Sequence, residues 1–178
     1  MSFLLKTEAT IGRFSTWIGH FSAVLLILLV SNVFYDVIMR YLFNDVSIGM
    51  QELEWHLFSM IFLFGMAYAL QTDDHVRVDI LYEKTSSHTR ALIDIFGTLV
   101  FLWPFCFLVA DYGFGFAREA WEINEMSGDP GGLPHRWIIK GMISLSLACV
   151  LISSLGFLLG AIHRLLGLKT RQHRETEI

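Results

Sequence analysis

The stretch from Gln51 to Asp79 constrains the fold more than any other part of the chain. Its centre, Leu57 to Leu70, carries no charged side chain. Both flanks are rich in ionisable groups, with Glu52, Glu54 and His56 before the centre and Asp73, Asp74, His75, Arg77 and Asp79 after it. A helix over residues 50–71 would rise about 33 Å, enough to cross a hydrocarbon core of about 30 Å. The pattern predicts a membrane-spanning helix with charged residues at both membrane surfaces.

Three further apolar runs have the length of membrane spans. They cover about residues 14–40, 91–117 and 136–162, so that with 50–71 the chain has four. Apolar residues make up 54% of the 178 residues, more than one soluble domain of this size could bury. We therefore expect an all-α integral membrane protein with four transmembrane helices, forming a single membrane domain over 1–178. The first run is too long for the apolar region of a cleaved signal peptide, so we expect it to be retained.

A polar stretch, residues 72–90, separates the second and third spans. Apolar and charged residues alternate in it, which predicts a short amphipathic segment lying on the membrane surface. His75, Arg77 and Asp79 have the composition of a catalytic set. The favoured interpretation assigns them no catalytic role. In it they are an interfacial His, a lipid-facing Arg and a helix-capping Asp.

The later half of the first span carries Asn32, Asp36 and Arg40 at intervals of four, on one helix face. A carboxylate in a membrane helix is costly unless it is paired or hydrated. Asp36 and Arg40 could form an interfacial ion pair, with Arg40 reaching the membrane surface. Alternatively, the stripe could face Glu52 or Glu54 at the same depth on the next helix.

The third and fourth spans carry the remaining helix signals. We read the third as apolar from near Ala91 to Ala110, with Pro104 inside it, and its helix could continue past Asp111. The sequence SGDPGGLP, residues 127–134, then ends any helix. In the fourth span, Gly156 and Gly160 form a GxxxG spacing, which lets two membrane helices approach closely.

The distribution of basic residues predicts the orientation. The leader, the second connection and the tail hold Lys6, Arg13, Arg77, Lys84, Arg90, Arg164, Lys169, Arg171 and Arg174, whereas the other two connections and their helix ends hold Arg40, Arg118, Arg136 and Lys140. The positive-inside rule places both termini in the cytoplasm. The acidic connection before Arg136 then faces outward.

The chain lacks the features of a transporter that acts alone. It has no clear internal repeat and no pair of interrupted helices, which secondary transporters normally show. His20 and His163 fall near the cytoplasmic ends of their spans, so a haem-binding membrane-anchor subunit of an oxidoreductase is an alternative. Interfacial histidines explain both residues more simply. No metal-ligand spacing, nucleophile–base pair or phosphate-binding loop is present, and we expect no cofactor, no metal and no catalytic site.

Three motifs together resemble a known family. They are RYLFN at 40–44, QELEWHLF at 51–58 and HVRVD at 75–79. In this order, on four spans, they are similar to the small membrane subunit (DctQ type) of tripartite ATP-independent periplasmic (TRAP) transporters. DPGGLPHRWIIK, residues 129–140, is similar to a variant in a subgroup of those systems. The resemblance covers about residues 14–165.

The resemblance implies a non-enzymatic scaffold subunit of a sodium-coupled importer of carboxylate-bearing solutes in the bacterial inner membrane. Its expected partners are a large permease subunit, a periplasmic binding protein and membrane lipids, not nucleic acid. The residues expected to fix helix ends or to dock a partner are Asp36, Arg40, Glu52, Glu54, His75, Arg77, Asp79, Gly156 and Gly160. Glu54 and the long acidic outer connection depart from the family pattern. A generic four-helix assembly factor is the third hypothesis.

Overall fold

The computed structural model describes residues 2–72 and 85–166, with side chains from residue 6 onward. The helices are α1 (Ser2–Leu42), α2 (Ile48–Thr72), α3 (Ser87–Gly97), α4 (Trp103–Glu122) and α5 (Trp137–Leu165). A π-helical turn, Thr98–Leu102, joins α3 to α4, so that Ser87–Glu122 forms one long segment. Within the described ranges there is no β-strand, and four helical segments are long and apolar enough to cross a membrane. The predicted fold class is confirmed.

The first helix is longer than the sequence pattern predicts. It begins at Ser2 rather than near residue 14, so the polar leader continues directly into the apolar run. Its 41 residues span about 61 Å, roughly twice the hydrocarbon thickness. The Thr10 and Thr16 hydroxyls donate to the carbonyls of Lys6 and Gly12 one turn earlier, which satisfies these polar groups within the helix.

The third membrane segment changes its winding next to Pro104. It begins at Ser87, where the Ser86 hydroxyl accepts a hydrogen bond from the Thr89 backbone N–H at 3.2 Å. In the π-helical turn, the backbone N–H of Trp103 donates to the carbonyl of Thr98, five residues back. A proline has no N–H to donate and its ring crowds the preceding turn, so a local widening before Pro104 accommodates it.

Helix α5 lies at the centre of the bundle. It packs against α1, α2, α3 and α4. In its most apolar 18-residue window 44% of residues are buried, against 17–22% in the other three segments. The core combines apolar side chains from these helices: Ile18, Phe64, Ala67, Leu70, Cys106, Leu147 and Val150. Most apolar surface on the other helices therefore faces outward, as expected where lipid or another protein is the surrounding medium.

Hydroxyl groups add specific contacts between the helices. Ser15 on α1 bonds Ser153 on α5 at 2.8 Å, with both side chains fully buried. The Trp103 indole N–H donates to Ser154 at 2.9 Å, and Ser144 donates to the carbonyl of Ala110 at 2.8 Å. Small polar residues thus hold α5 close to its neighbours in a low-dielectric interior.

The bundle has two ends that hold different polar groups. We call the end where α2 and α5 begin the Glu52 end, and the end where α1 begins and α5 finishes the Glu8 end. The connection between α4 and α5, residues 123–136, lies at the Glu52 end. Most of the predicted amphipathic segment, residues 73–84, lies outside the described residues.

Candidate functional site at the Glu52 end

One buried carboxylate organises the Glu52 end. Glu52 lies in the first turns of α2 and is only 6% exposed. Its Oε2 accepts the backbone N–H of Leu133 at 2.6 Å, and its Oε1 accepts Arg136 Nη2 at 3.0 Å and the Ser127 hydroxyl. All three donors come from residues 123–136. A carboxylate removed from water needs such charge-assisted hydrogen bonds, so α2 and the connection depend on each other.

The connection also has regular turn geometry of its own. The Gly132 N–H donates to the carbonyl of Asp129 at 3.0 Å, with Pro130 and Gly131 between them. Gly131 has a φ of +85°. Proline at the second position and a glycine with positive φ at the third are the pattern of a type II turn. The backbone N–H of Ser127 closes the loop onto the carbonyl of Leu133 at 3.1 Å.

Two non-glycine residues mark the ends of this connection by their backbone conformation. Asn124 has a φ of 50° just after α4, and His135 has a φ of 61° just before α5. The Glu125 N–H returns to the carbonyl of Ala120 at 2.9 Å, and the Arg136 N–H donates to the carbonyl of Glu125 at 3.1 Å. These bonds bring the end of α4 and the start of α5 together and leave the turn projecting toward Glu52.

Gly132 is required by the close approach of the carboxylate. A Cβ atom at this position would lie 2.9 Å from Glu52 Oε2, and it would also collide with Ser127. Neither neighbour can withdraw without losing its hydrogen bond. The residue type is therefore fixed by the site rather than by the turn alone.

A second ion pair and two aromatic contacts flank Glu52. Lys140 Nζ pairs with Glu125, across the same connection. The Arg136 guanidinium carbon lies 5.9 Å from the centre of the Trp55 ring, on α2. Trp121 and Trp137 meet edge to face, with ring centroids 4.6 Å apart. The end of α4 and the start of α5 are thus held by charge and by aromatic packing.

The predicted polar stripe on α1 forms its own ion pair. Arg40 Nη2 lies 2.5 Å from Asp36 Oδ2, with 42% and 5% of the respective side chains exposed. Asn32 Nδ2 donates to the backbone carbonyl of Met50 at 2.9 Å, which links α1 to the start of α2. Glu52 takes its partners from the 123–136 connection rather than from Arg40.

Of the other predicted site residues, the structure describes Glu54, Gly156 and Gly160. Glu54 is half-buried and makes no ion pair with another described residue. A Cβ at Gly156 would lie 2.8 Å from both Ile11 on α1 and Gln71 on α2, whereas one at Gly160 would be 3.8 Å from Glu8. Of these two glycines, Gly156 is therefore the one that neighbouring helices approach closely. His75, Arg77 and Asp79 lie outside the described residues.

The Glu8 end contains two contacts between a carboxylate and a basic side chain that sequence reasoning missed. His163 Nδ1 lies 2.8 Å from Glu8 Oε2, and Arg164 Nη2 lies 2.8 Å from Asp94 Oδ2. Asp94 interrupts the third span, which we read as apolar to Ala110. A lone acid inside an apolar run is the signal that could have identified it, since such a group needs a partner.

The histidines behind the haem alternative have other contacts. His163 is 1% exposed and bonds Glu8, while the His20 ring meets Trp17 edge to face at 6.3 Å. Among residues 2–72 and 85–166, no group of three or more His, Cys, Asp or Glu side chains could hold a metal ion. The buried acids of this part of the chain accept hydrogen bonds from the same helix, from a neighbouring helix or from the 123–136 connection.

Residues 29–164 match the family described as tripartite ATP-independent periplasmic transporters, DctQ component. This is 136 of the 178 residues and includes α2, α3 and α4 in full and all of α5 except its last residue. The chain belongs to the DctQ family. The match confirms the resemblance inferred from the three motifs. No curated protein sequence matches the chain.

Membership of the DctQ family fits the architecture. The family is a component of TRAP transporters and is not an enzyme family. The chain is accordingly a multi-pass membrane protein and a small TRAP transporter subunit. Both Glu52 and its partners in the 123–136 connection fall inside the matched DctQ region.

Proposed function

We propose that this chain is the static scaffold subunit of a sodium-coupled TRAP transporter that imports a carboxylate-bearing solute. In this assembly the large permease subunit carries the solute and cation sites, and a periplasmic binding protein delivers the solute. The small subunit packs beside the large one and helps to receive the binding protein. It has no enzymatic activity of its own.

The observation that carries the proposal is the pairing of the buried acids. Four carboxylates are buried in the described part of the chain, and each has a basic partner within the chain: Glu8 with His163, Asp36 with Arg40, Glu52 with Arg136, and Asp94 with Arg164. A residue that binds a transported cation must exchange its partners during transport. Carboxylates that already have partners within the chain suit a body that keeps one shape while another subunit moves.

The exposed apolar surface supports a partner in the membrane. At most 22% of the most apolar window of α1, α2 or the third segment is buried. Large apolar side chains such as Trp17, Ile27 and Phe34 on α1 are more than 60% exposed. A face of this kind suits contact with the large subunit on one side and lipid on the other.

The charge distribution supports an orientation with the Glu52 end in the periplasm and both termini in the cytoplasm of a bacterial inner membrane. In that orientation the 123–136 connection meets the binding protein. Exposed acids near it, among them Glu119, Glu122 and Asp129, would face basic groups on the partner. Asp36, Arg40 and Glu52 would fix the helix ends, and His75, Arg77 and Asp79 would anchor the segment on the opposite surface.

Co-purification tests the proposed assembly. The chain is tagged and expressed with its neighbouring reading frames, then isolated in mild detergent. The proposal predicts recovery of a multi-span permease in fixed ratio. Recovery of the chain alone, or with a visible haem absorbance band, would contradict it.

Site-directed labelling tests the orientation separately. A cysteine at Asp129 is expected to react with a membrane-impermeant maleimide in intact cells with permeabilised outer membranes, because it would face the periplasm. A cysteine at Lys6, whose side chain is exposed at the other end, is the matched control. Labelling of the Lys6 position alone would show that the chain has the opposite orientation.

A further inference from the structure

An apolar groove opens on the side of the bundle near the Glu52 end. It lies between α2, the end of α4 and the start of α5, with a volume of about 420 Å³. Its apolar walls are Trp55, Phe58 and Phe62 from α2, Phe116 from α4, and Ile139 and Ile143 from α5. Phe58 and Phe62 are each more than 60% exposed, so the groove is open toward the surrounding membrane. The size falls within the range of small-molecule sites, about 300–1,000 Å³.

Both cations of the α5 start lie at one end of this groove. Lys140 and Arg136 belong to its lining, one and two turns before Ile143 respectively. The Lys140 ammonium sits 3.8 Å from the centre of the Phe116 ring. Glu125 accepts from Lys140, and an ammonium has three N–H donors, so donors remain for a further acceptor. The groove therefore has a cationic mouth at the membrane surface and an apolar floor that runs toward the membrane interior.

We propose that this groove binds a phospholipid, with its phosphate at Lys140 and Arg136 and one acyl chain along the aromatic floor. An amphiphile matches both halves of the site, since its phosphate suits the cations and its chain suits the apolar walls. Trp and Lys at the same depth are the side chains that membrane proteins use at the headgroup level. The proposal holds for either orientation of the chain, because the orientation decides only which leaflet supplies the phospholipid.

A phospholipid suits the groove better than an apolar helix of another subunit, because such a helix supplies no phosphate for Arg136 and Lys140 at the mouth. A single acyl chain has a smaller cross-section and can follow the space between α2 and α5. The ion pairs Arg136–Glu52 and Lys140–Glu125 keep the two cations in place when the groove is empty.

Native mass spectrometry tests the site on the protein purified in mild detergent with any subunit that accompanies it. Ser59→Phe fills the groove, and we expect this variant to retain one phospholipid fewer than the unchanged protein. Ser31→Phe is the control, because Ser31 lies on the exposed face of α1 and its hydroxyl, like that of Ser59, donates to the carbonyl one turn back. Equal retention in the unchanged protein and Ser59→Phe would overturn the proposal.

A lipid titration tests the phosphate contact and does not rely on the folding of Ser59→Phe. Phosphatidylglycerol is added to delipidated protein, and Lys140→Gln is expected to bind it about fivefold more weakly. Arg118→Gln removes an exposed cation of α4 that pairs with Glu122, and is expected to change nothing. Diacylglycerol, which lacks the phosphate, is expected to bind poorly and equally to all variants. Diacylglycerol binding as tight as that of phosphatidylglycerol would contradict the phosphate contact.

A photo-cross-linking amino acid at Phe62 identifies the occupant in the intact complex. The expected product is this chain with the added mass of a phospholipid after detergent washing. A product that joins this chain to a second polypeptide would show that a helix fills the groove, and would overturn the proposal.

Discussion

The two ends of the bundle supply different kinds of partner to their buried carboxylates. At the Glu52 end, Asp36 pairs with Arg40 on its own helix, whereas Glu52 takes a guanidinium, a hydroxyl and a backbone N–H from a single connection. At the Glu8 end, two carboxylates each take one basic side chain from α5, in the pairs Glu8–His163 and Asp94–Arg164. The first arrangement orders a segment outside the helices. The second fixes α5 against α1 and α3.

The comparison shows that the need to pair a buried acid can have two structural consequences. Any buried acid must have a donor, because the cost of an unpaired charge is several kcal/mol in the interior. Between two helices, that requirement fixes their relative position. Between a helix and a connection, it gives a surface loop a defined shape. We therefore expect changes at the Glu52 end to act locally and changes at the Glu8 end to act on the whole bundle.

Glu52→Gln is expected to have the largest effect. The glutamine amide carries no charge to neutralise Arg136. Only one of its two terminal atoms, the oxygen, can accept hydrogen bonds, so it cannot replace both carboxylate oxygens as acceptors for the three donors. Backbone amides of residues 123–136 should exchange hydrogen at least about tenfold faster, with α5 amides near His163 unchanged. Hydrogen exchange with mass spectrometry measures this. Glu54→Gln is the control. An equal effect of both changes on the exchange of residues 123–136 would contradict the specific role of Glu52 in ordering this connection.

Glu8→Ala tests the opposite end and is expected to act globally. It leaves the buried His163 Nδ1 without its partner, at a cost of about 1–3 kcal/mol. Thermal unfolding of the detergent-solubilised protein should begin at a lower temperature, while exchange in residues 123–136 at low temperature stays unchanged. Lys6→Gln, in the same helix turn, should leave both measurements unaltered. Faster exchange confined to residues 123–136 would contradict the division between the ends.

The two glycines of the GxxxG spacing sharpen the picture of α5 packing. At Gly156 a methyl group meets Ile11 and Gln71 at 2.8 Å, so Gly156→Ala is expected to cost about 1–3 kcal/mol through overpacking. Gly160→Ala meets only an ordinary contact at 3.8 Å and gains helix propensity, about 0.5–1 kcal/mol. The unfolding temperature should fall for the first change and stay or rise for the second. Equal effects would show that the spacing does not mark a close approach at Gly156.

Arg118→Gln is expected to have the smallest effect at the Glu52 end. Its ion pair with Glu122 is exposed on both sides, at 70% and 58% of the side chains. Pairs of this kind contribute about 0–1 kcal/mol. Both thermal unfolding and exchange in residues 123–136 should match the unchanged protein. A large effect would mean that this pair takes part in an interface.

Much of the fold could be predicted from the sequence because membrane spans depend on local composition. The uncharged centre at Leu57–Leu70 and the break at residues 127–134 are both borne out by the helices. The start of α1 was missed because a polar leader without a strong breaker can extend an apolar helix. The π-helical turn before Pro104 reflects a detail of winding that apolar periodicity does not encode.

The candidate site was predictable only in part. Glu52 was identified by its place at the start of a span, but its three partners lie 75–84 residues away in the sequence. Their positions depend on positive φ angles at Asn124 and His135, which neither residue type dictates. Asp94 was missed because a single acid hardly changes the mean hydropathy of a long span.

The amount of assembled complex, measured beside solute affinity, tests the central claim most directly. The claim is that the Glu52 carboxylate has a positional role in a scaffold subunit. In proteoliposomes containing the purified permease and binding protein, Glu52→Gln should lower the yield of complex while leaving the apparent affinity for the solute unchanged. Arg40→Gln should act in the same direction, and Arg118→Gln, which removes an exposed cation of α4, should match the unchanged protein. An intact complex with an altered apparent affinity would contradict the account.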